Sequence, residues 1–322
     1  QKYCNEIIGK VHDIGNNLGL PQKALGATLE DLEEDIEEET GVAVRLPLDV
    51  QGADILLITP SADFFAEPHV DGLIGYAKVF HQAGVSWTIS SKASEAANFA
   101  MFIGSHDQMG KIAERIRDAA LELGVKRIIV GECGHAWRVA YNFWDTLVGP
   151  FDFLDPGYPI PQHICEFTYD LIEKGELNFD KSANDHMTLT FHDSCNVARA
   201  SRMGDEPGGQ FKIPRAVVKA CCNNFVEMDA DTIHENTFCC GGGGELRGKG
   251  ASPRMGAFEQ VAQDHGVTHM VAICAICKTQ FSKIMPMYGY EMDNIVGVHQ
   301  LVSNALILDG QITTEEEETV DG

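Results

Sequence analysis

Seven of the ten cysteines lie between positions 192 and 277, and five of them fall in a fixed order of motifs. The stretch reads His192-Asp193-Ser194-Cys195, then Cys239-Cys240-Gly241-Gly242-Gly243-Gly244, then Cys274-Ala275-Ile276-Cys277. Thiolate is a soft ligand, and cysteines gathered at loop positions build iron–sulfur clusters and zinc sites. A vicinal pair followed by four glycines adds a geometric requirement. The backbone there must bend sharply and pass close to something bulky, which glycine permits at least cost.

Residues so far apart in sequence meet only if a fold brings them together. Cys195, Cys239 and Cys274 each follow an expected strand or open the loop after one. In open α/β sheets those carboxyl-end loops converge on one crevice. Cys274 and Cys277, at i and i+3, face the same way on a turn or first helical turn. Free N–H groups of Gly241 and Gly242 are placed to hydrogen-bond cluster sulfides or a bound anion. Five thiolates are one more than a tetrahedral zinc or a regular four-iron cubane takes. Zinc is the plain alternative, although structural zinc favours two paired CxxC knuckles. A vicinal disulfide at Cys239-Cys240 is disfavoured in a reducing compartment.

The remaining cysteines read differently. Cys221-Cys222 ends a helix without glycines and reads as packing, as does Cys165 beside a short strand. Cys4 stands alone as an incidental thiol. Cys133 falls at a ligand-like position of its own half and reads as an extra ligand or redox thiol facing the cluster across the cleft.

The elements that must position these residues follow in order. Residues 1–50 read as an N-terminal lead-in and linker, with an acidic helix over 29–39. From Ala53 strands and helices alternate: strand 54–59, helix 70–83, strand 85–90, helix 106–123, strand 127–130, a short strand at 163–164 and a helix over 167–174. After a polar linker the order returns: strand 187–191, helix 213–220 entered through Pro214, strand 225–228, helix 255–265, strand 269–273, strand 294–298 and helix 301–308. Alternation of this kind predicts an α/β fold with parallel, doubly wound sheets. The pattern is also an internal duplication, at a period of roughly 135–140 residues. Sliding one half on the other sets Ala62 against Cys195 and 102–104 against Cys239-Cys240-Gly241. It sets Cys133-Gly134-His135-Ala136 against Cys274-Ala275-Ile276-Cys277. The expected parts are thus a linker (1–50), a degenerate half (51–176), an intact half (186–310) and an acidic tail (311–322).

The net charge is −24, and residues 30–39 alone carry eight acidic side chains. Such a balance argues against nucleic acid or anionic lipid as a direct partner. No run of eighteen apolar residues exists to span a bilayer. The cysteine density is too low for a secreted disulfide scaffold, so the cytoplasm is the expected compartment. The chain starts at Gln1 rather than Met, which is the start expected if an upstream segment is removed or not included.

The order Cys195, Cys239-Cys240-Gly241, Cys274-x-x-Cys277 resembles the cysteine-rich CCG domain of heterodisulfide-reductase-type iron–sulfur proteins. Gly131-Glu132-Cys133-Gly134-His135-Ala136-Trp137 and the stretch from His192 to Arg199 are most similar to the DsrK subunits of Dsr membrane complexes of sulfur-metabolising microbes. The resemblance implies two Rossmann-like halves with the site in the cleft of the second. It implies a non-cubane [4Fe-4S] cluster on Cys195, Cys239, Cys240, Cys274 and Cys277, with cubane clusters on an upstream module or partner subunit. It further implies a cytoplasmic catalytic subunit, peripheral to the membrane through partner subunits. The substrate would be a disulfide or trisulfide on a small DsrC-like protein. Cys133, His135 and Asp193 are the expected catalytic residues, with the histidine or carboxyl protonating a departing thiolate. His192 reads as a satisfied structural histidine. Arg199, Arg247 and Lys278 either balance cluster charge, hold a substrate carboxylate or form ordinary ion pairs. The alternative is an iron–sulfur relay in a glycolate-, lactate- or glycerol-3-phosphate-type quinone-linked oxidoreductase. A zinc-stabilised interaction module is the third reading.

Overall fold

The computed structural model describes residues 1–64, 69–157, 161–242 and 250–311. Its first strand, β1 (Ile55–Ile58), is four aliphatic residues, all buried. A strand with no polar face is stable only where both sides are covered, which calls for a parallel sheet between helices. β1 lies between β2 (Trp87–Ile89) and β3 (Arg127–Val130), and β3 pairs with β4 (Gln162–His163). All pairings are parallel, in the order β2-β1-β3-β4. The second sheet places β5 (Leu189–His192) beside β6 (His269–Ala272) and β6 beside β7 (Ile295–Val296), again parallel. The strand expected at 225–228 contracts to one parallel bridge, Phe225 to Leu189. Glu227 is drawn to Arg215, and the Asp229 side chain accepts from the Asp231 N–H and starts a turn. Counting that bridge, both sheets share one strand order, the arrangement a duplication produces.

Among the described residues, seven helices accompany the first sheet. They are α1 (Lys2–Ile14), α2 (Gln22–Thr40), α3 (Val70–Gln82), α4 (Asn98–Phe102), α5 (His106–Leu123), α6 (Gly134–Val148) and α7 (Ile164–Glu173). The lead-in expected at 1–50 proves to be core. Leu25, Leu29, Leu32 and Ile36 form the buried stripe of α2 while its acidic residues face outward. Ile7, Ile8 and Val11 of α1 are buried as well, and Leu48 bridges to Ile89 at the edge of the first sheet.

The second sheet carries α8 (Cys195–Ala200), α9 (Gly209–Cys221), α10 (Ser252–His265), α11 (Ala275–Ile284) and α12 (Val298–Ala305). Helix α9 starts before Pro214, which sits inside it rather than at its entrance. Helix α12 starts and ends earlier than its spacing predicts, because Leu306 leaves it to bridge Phe179. The acidic tail beyond Gln311, Arg247 and the pair Gly243-Gly244 lie outside the described residues.

Candidate metal centre

Each strand end feeds its cysteine into a helix start. Cys133 follows β3 and is the N-cap of α6, and Cys274 follows β6 and is the N-cap of α11. Cys195 opens α8 directly after β5. The two halves meet at these ends. Ala275 N–H, at the start of α11, donates to the Glu132 carbonyl at 2.9 Å. The thiol of the degenerate half is thereby laid against the CxxC of the intact half.

The result is a string of sulfurs. Cys240 Sγ lies 3.2 Å from Cys277 Sγ. Cys277 also interacts with Cys274, Cys274 with Cys133, and Cys239 with both Cys195 and Cys240. His135 Nδ1 lies 3.6 Å from Cys274 Sγ. Two tight groups stand within the string: Cys133, His135 and Cys274, and His192, Cys240 and Cys277, with ligand atoms in each lying within 4.8 Å of one another. All six of these residues are buried. Cys239 is exposed and Cys195 half-buried, so the string runs from the surface to the interior.

The glycines make this approach possible. Gly241 has φ of +77°, and its N–H donates to Cys239 Sγ at 3.3 Å. The Gly242 N–H donates to Cys240 Sγ at 3.4 Å, and a Cβ there would lie 2.8 Å from Ile276 of the CxxC turn.

Neighbouring thiols split their acidity. The hydrogen bond with Cys195 pulls Cys239 well below the usual thiol range, and the one with Cys133 does the same for Cys274. Cys195, Cys240 and Cys133 are pushed up, first by the hydrogen bond each makes to one of those two. Cys277 is pushed up as well, first by its bond to Cys240. Six sulfurs sharing protons in a largely buried pocket form a donor set suited to a soft metal or an iron–sulfur cluster. A cluster of irons would replace the shared protons and offset the clustered negative charge.

Other expected site residues have different roles. Both Asp193 oxygens accept from Arg215, at 2.7 and 2.8 Å, and one also accepts from the His234 N–H at 2.8 Å. Burial alone would raise its carboxyl, but these bonds hold it low. Its carbonyl accepts from Thr237 Oγ1 at 2.7 Å. Asp193 thus clamps the segment that delivers Cys239 instead of offering a proton. Arg199 does related work, its guanidinium donating to the carbonyls of Glu235 and Thr237. His192 is not the satisfied histidine expected, since neither ring nitrogen has a hydrogen-bond partner among the described residues. Burial lowers it to about 3. Cys165, Cys221 and Cys222 join neither tight group, and burial pushes each thiol up. Cys4, expected to be incidental, lines a cavity of about 1020 Å³ together with Cys133 and Gly242.

Sequence reasoning missed Glu132. Its fully buried carboxylate accepts from the N–H groups of Val298 and His299 at 3.1 and 2.6 Å, capping α12. His299 Nδ1 lies 2.7 Å from it, and the buried Lys278 ammonium 3.6 Å away. Burial alone would raise this carboxyl; the Lys278 charge and the His299 contacts outweigh it and hold it at about 2. The available signal was an acid directly after an apolar strand, where charge is rarely buried unpaired.

Residues 189–282 match the cysteine-rich CCG domain. The chain is 34% identical to an "Hdr-like menaquinol oxidoreductase iron-sulfur subunit" of Archaeoglobus profundus, over 91% of this chain and 58% of that protein. It is 26% identical to one of the subunits of the dihydromethanophenazine:CoB–CoM heterodisulfide reductase of Methanosarcina mazei, over 63% of this chain and 47% of that protein. It is 24% identical to the EtfAB:quinone oxidoreductase of Syntrophomonas wolfei, over 62% of this chain and 25% of that protein. Residues 189–282 are thus similar to the CCG domain and the chain to Hdr-like iron–sulfur subunits, and it spans 58% of the length of the Archaeoglobus profundus relative.

Proposed function

We propose that this chain is the thiolate-centre subunit of an Hdr-like oxidoreductase complex, moving electrons to or from a sulfur–sulfur bond. The observation that carries the reading is the string of six cysteine sulfurs, one from the degenerate half and five from the intact half, ending beside a cavity. When bound, a [4Fe-4S] centre, of the non-cubane type, supplies single electrons and an iron with affinity for substrate sulfur. Cys195, Cys239, Cys240, Cys274 and Cys277 would hold it.

The chain's own residues supply the rest. Reducing one S–S bond consumes two electrons and two protons and releases two thiols. His135 stands beside Cys274, with its ring 4.7 Å from that of Phe102, which lines the cavity with Cys133. It is positioned to pass a proton to the departing thiolate. Lys10 and Lys283 also line the cavity, and no Asp or Glu does among the described residues. In a chain of net charge −24 this favours an anionic sulfur compound or the acidic arm of a carrier protein. A DsrC-like carrier in a DsrK-type complex, with cubane clusters on an upstream module or partner subunit, is the finer form of this reading. Among the described residues no helix is long and apolar enough to cross a membrane, so contact with one would come through partner subunits.

A second reading is favoured by the relatives named for menaquinol and quinone: a relay that handles electrons without sulfur chemistry. Iron and acid-labile sulfide analysis with EPR, on the anaerobically purified chain and on Cys239→Ser, tests the centre first. Roughly four irons and matching sulfide are expected for a [4Fe-4S] cluster, with an EPR signal lost in the variant. Zinc without sulfide would overturn both redox readings. Turnover of a small anionic disulfide or trisulfide with a reduced dye then separates the two, since a pure relay leaves those substrates intact.

A further inference from the structure

His192 ends β5 three positions before Cys195, and its side chain is fully buried. The ring meets Phe281 edge to face at 4.9 Å. Neither Nδ1 nor Nε2 finds a hydrogen-bond partner among the described residues. Leaving a buried polar atom unpaired costs about 1–3 kcal/mol, and a neutral imidazole has one donor and one acceptor to place. By contrast, the buried His163 and His299 each find a protein partner: Nδ1 of His163 accepts from the Cys165 N–H at 3.1 Å, and Nε2 of His299 lies 2.7 Å from Thr168 Oγ1. The orphaned imidazole is aimed at sulfur, with a ring nitrogen within 4.8 Å of both Cys240 Sγ and Cys277 Sγ, which are 3.2 Å apart. That spacing is what three donors around a shared ion require. A histidine kept for packing alone would be better replaced by an apolar residue of similar size.

We propose that His192 is a nitrogen ligand of the metal centre held by Cys240 and Cys277, so that the set of donors is mixed and not purely thiolate. This rests on the reading of the thiol string as a metal centre. An imidazole ligand carries no charge, so it would bring an iron into the interior without adding to the negative charge of the cysteines. It would also raise the reduction potential relative to a sixth thiolate, as histidine does in place of cysteine on other iron–sulfur centres.

The test uses the full chain, purified anaerobically with its metal, and grown with either natural or ¹⁵N-labelled histidine. Pulsed EPR is expected to show a nitrogen coupled directly to the centre, changing pattern with the label. The coupling should vanish in His192→Leu and persist in His135→Leu. A coupling that survives His192→Leu, the absence of any histidine coupling, or only the weak coupling of an N–H···S contact overturns the proposal. Labelling needs no substitution, so a His192→Leu chain that fails to fold still leaves the wild-type spectrum and His135→Leu to decide. Absence of iron and sulfide overturns the redox reading by itself. If zinc is found instead, X-ray absorption counts its nitrogen neighbours, and an all-sulfur shell then rejects His192.

Discussion

At the scale of single residues, the chemistry was legible where it resides in residue type. Cysteines at Cys195, Cys239, Cys240, Cys274 and Cys277 mark a candidate soft-metal site, and the fold brings their sulfurs together. Asp193 was not legible in the same way, because its role depends on Arg215, 22 positions away and on another element. Glu132 is a further case. It joins Cys133 to Lys278, the neighbour of Cys277, through a fully buried ion pair. The Lys278 ammonium makes no hydrogen bond among the described residues, so Glu132 is what compensates its charge. Removing one partner of such a pair leaves a charge stranded and costs about 3–5 kcal/mol. Glu132→Gln is therefore expected to lower the denaturation midpoint strongly. The double variant Glu132→Gln with Lys278→Met should recover much of that loss, because no charge is then left unpaired. Equal losses in the single and double variants, measured by urea titration, would show that the capping bonds to Val298 and His299 matter and the charge does not.

Elements were legible when their borders are written locally. α5 runs over 106–123 as its spacing predicts, with Ser105 capping Gln108 N–H and Gly124 closing the other end. β3 likewise occupies 127–130 as expected. α7 was expected to begin at Phe167, yet it begins at Ile164. Its start is fixed by a reciprocal cap, in which the Cys165 N–H donates to His163 Nδ1 and Glu166 accepts from the His163 N–H. A histidine is not among the usual capping residues, so the signal was easily passed over. Glu166 carries a consequence for pH. Burial is the largest influence on it and raises its carboxyl to about 7, against the opposing bonds from Gly204 and His163. With the folded value above the unfolded one, the native state binds the extra proton between the two. Stability from this group is fully present below about pH 4.5 and is lost as pH rises through about 7. Glu166→Gln loses one of the two accepting oxygens at every pH, but it should abolish that slope. The quantity to measure is the difference in unfolding free energy between wild type and variant across the interval. A difference independent of pH would show that Glu166 is ionised throughout.

For the molecule as a whole, the duplication was legible because the order of strands and helices recurs, although the first half keeps only Cys133 of the five cysteines. How the two halves lock was not, since it rests on close approaches that no periodicity records. The tightest of these joins α3 to α12. A Cβ built at Gly75 would lie 2.0 Å from the His299 carbonyl oxygen, so only a hydrogen atom fits between the helices. Tyr76, the next residue, accepts from the Glu132 N–H at 2.8 Å and packs edge to face on His299 at 4.9 Å. Behind this contact stands Glu132, and beside it Cys133, whose thiol lies against Cys274. Gly75→Ala must therefore push α12 away from α3 and carry Glu132 with it. Overpacking of this kind costs about 1–3 kcal/mol and occasionally more. The expected outcome is a lower melting temperature together with an altered metal-centre spectrum, although Gly75 itself touches no thiol. Gly110→Ala is the control, since the nearest atom to its Cβ would be Leu147 Cβ at 3.9 Å, an ordinary contact. If Gly75→Ala destabilises the chain but leaves the spectrum unchanged, then Cys133 does not share the centre, and the first half is scaffold only. If both change, the two halves form one site. The degenerate copy would then have kept its thiol because the intact copy's centre requires it.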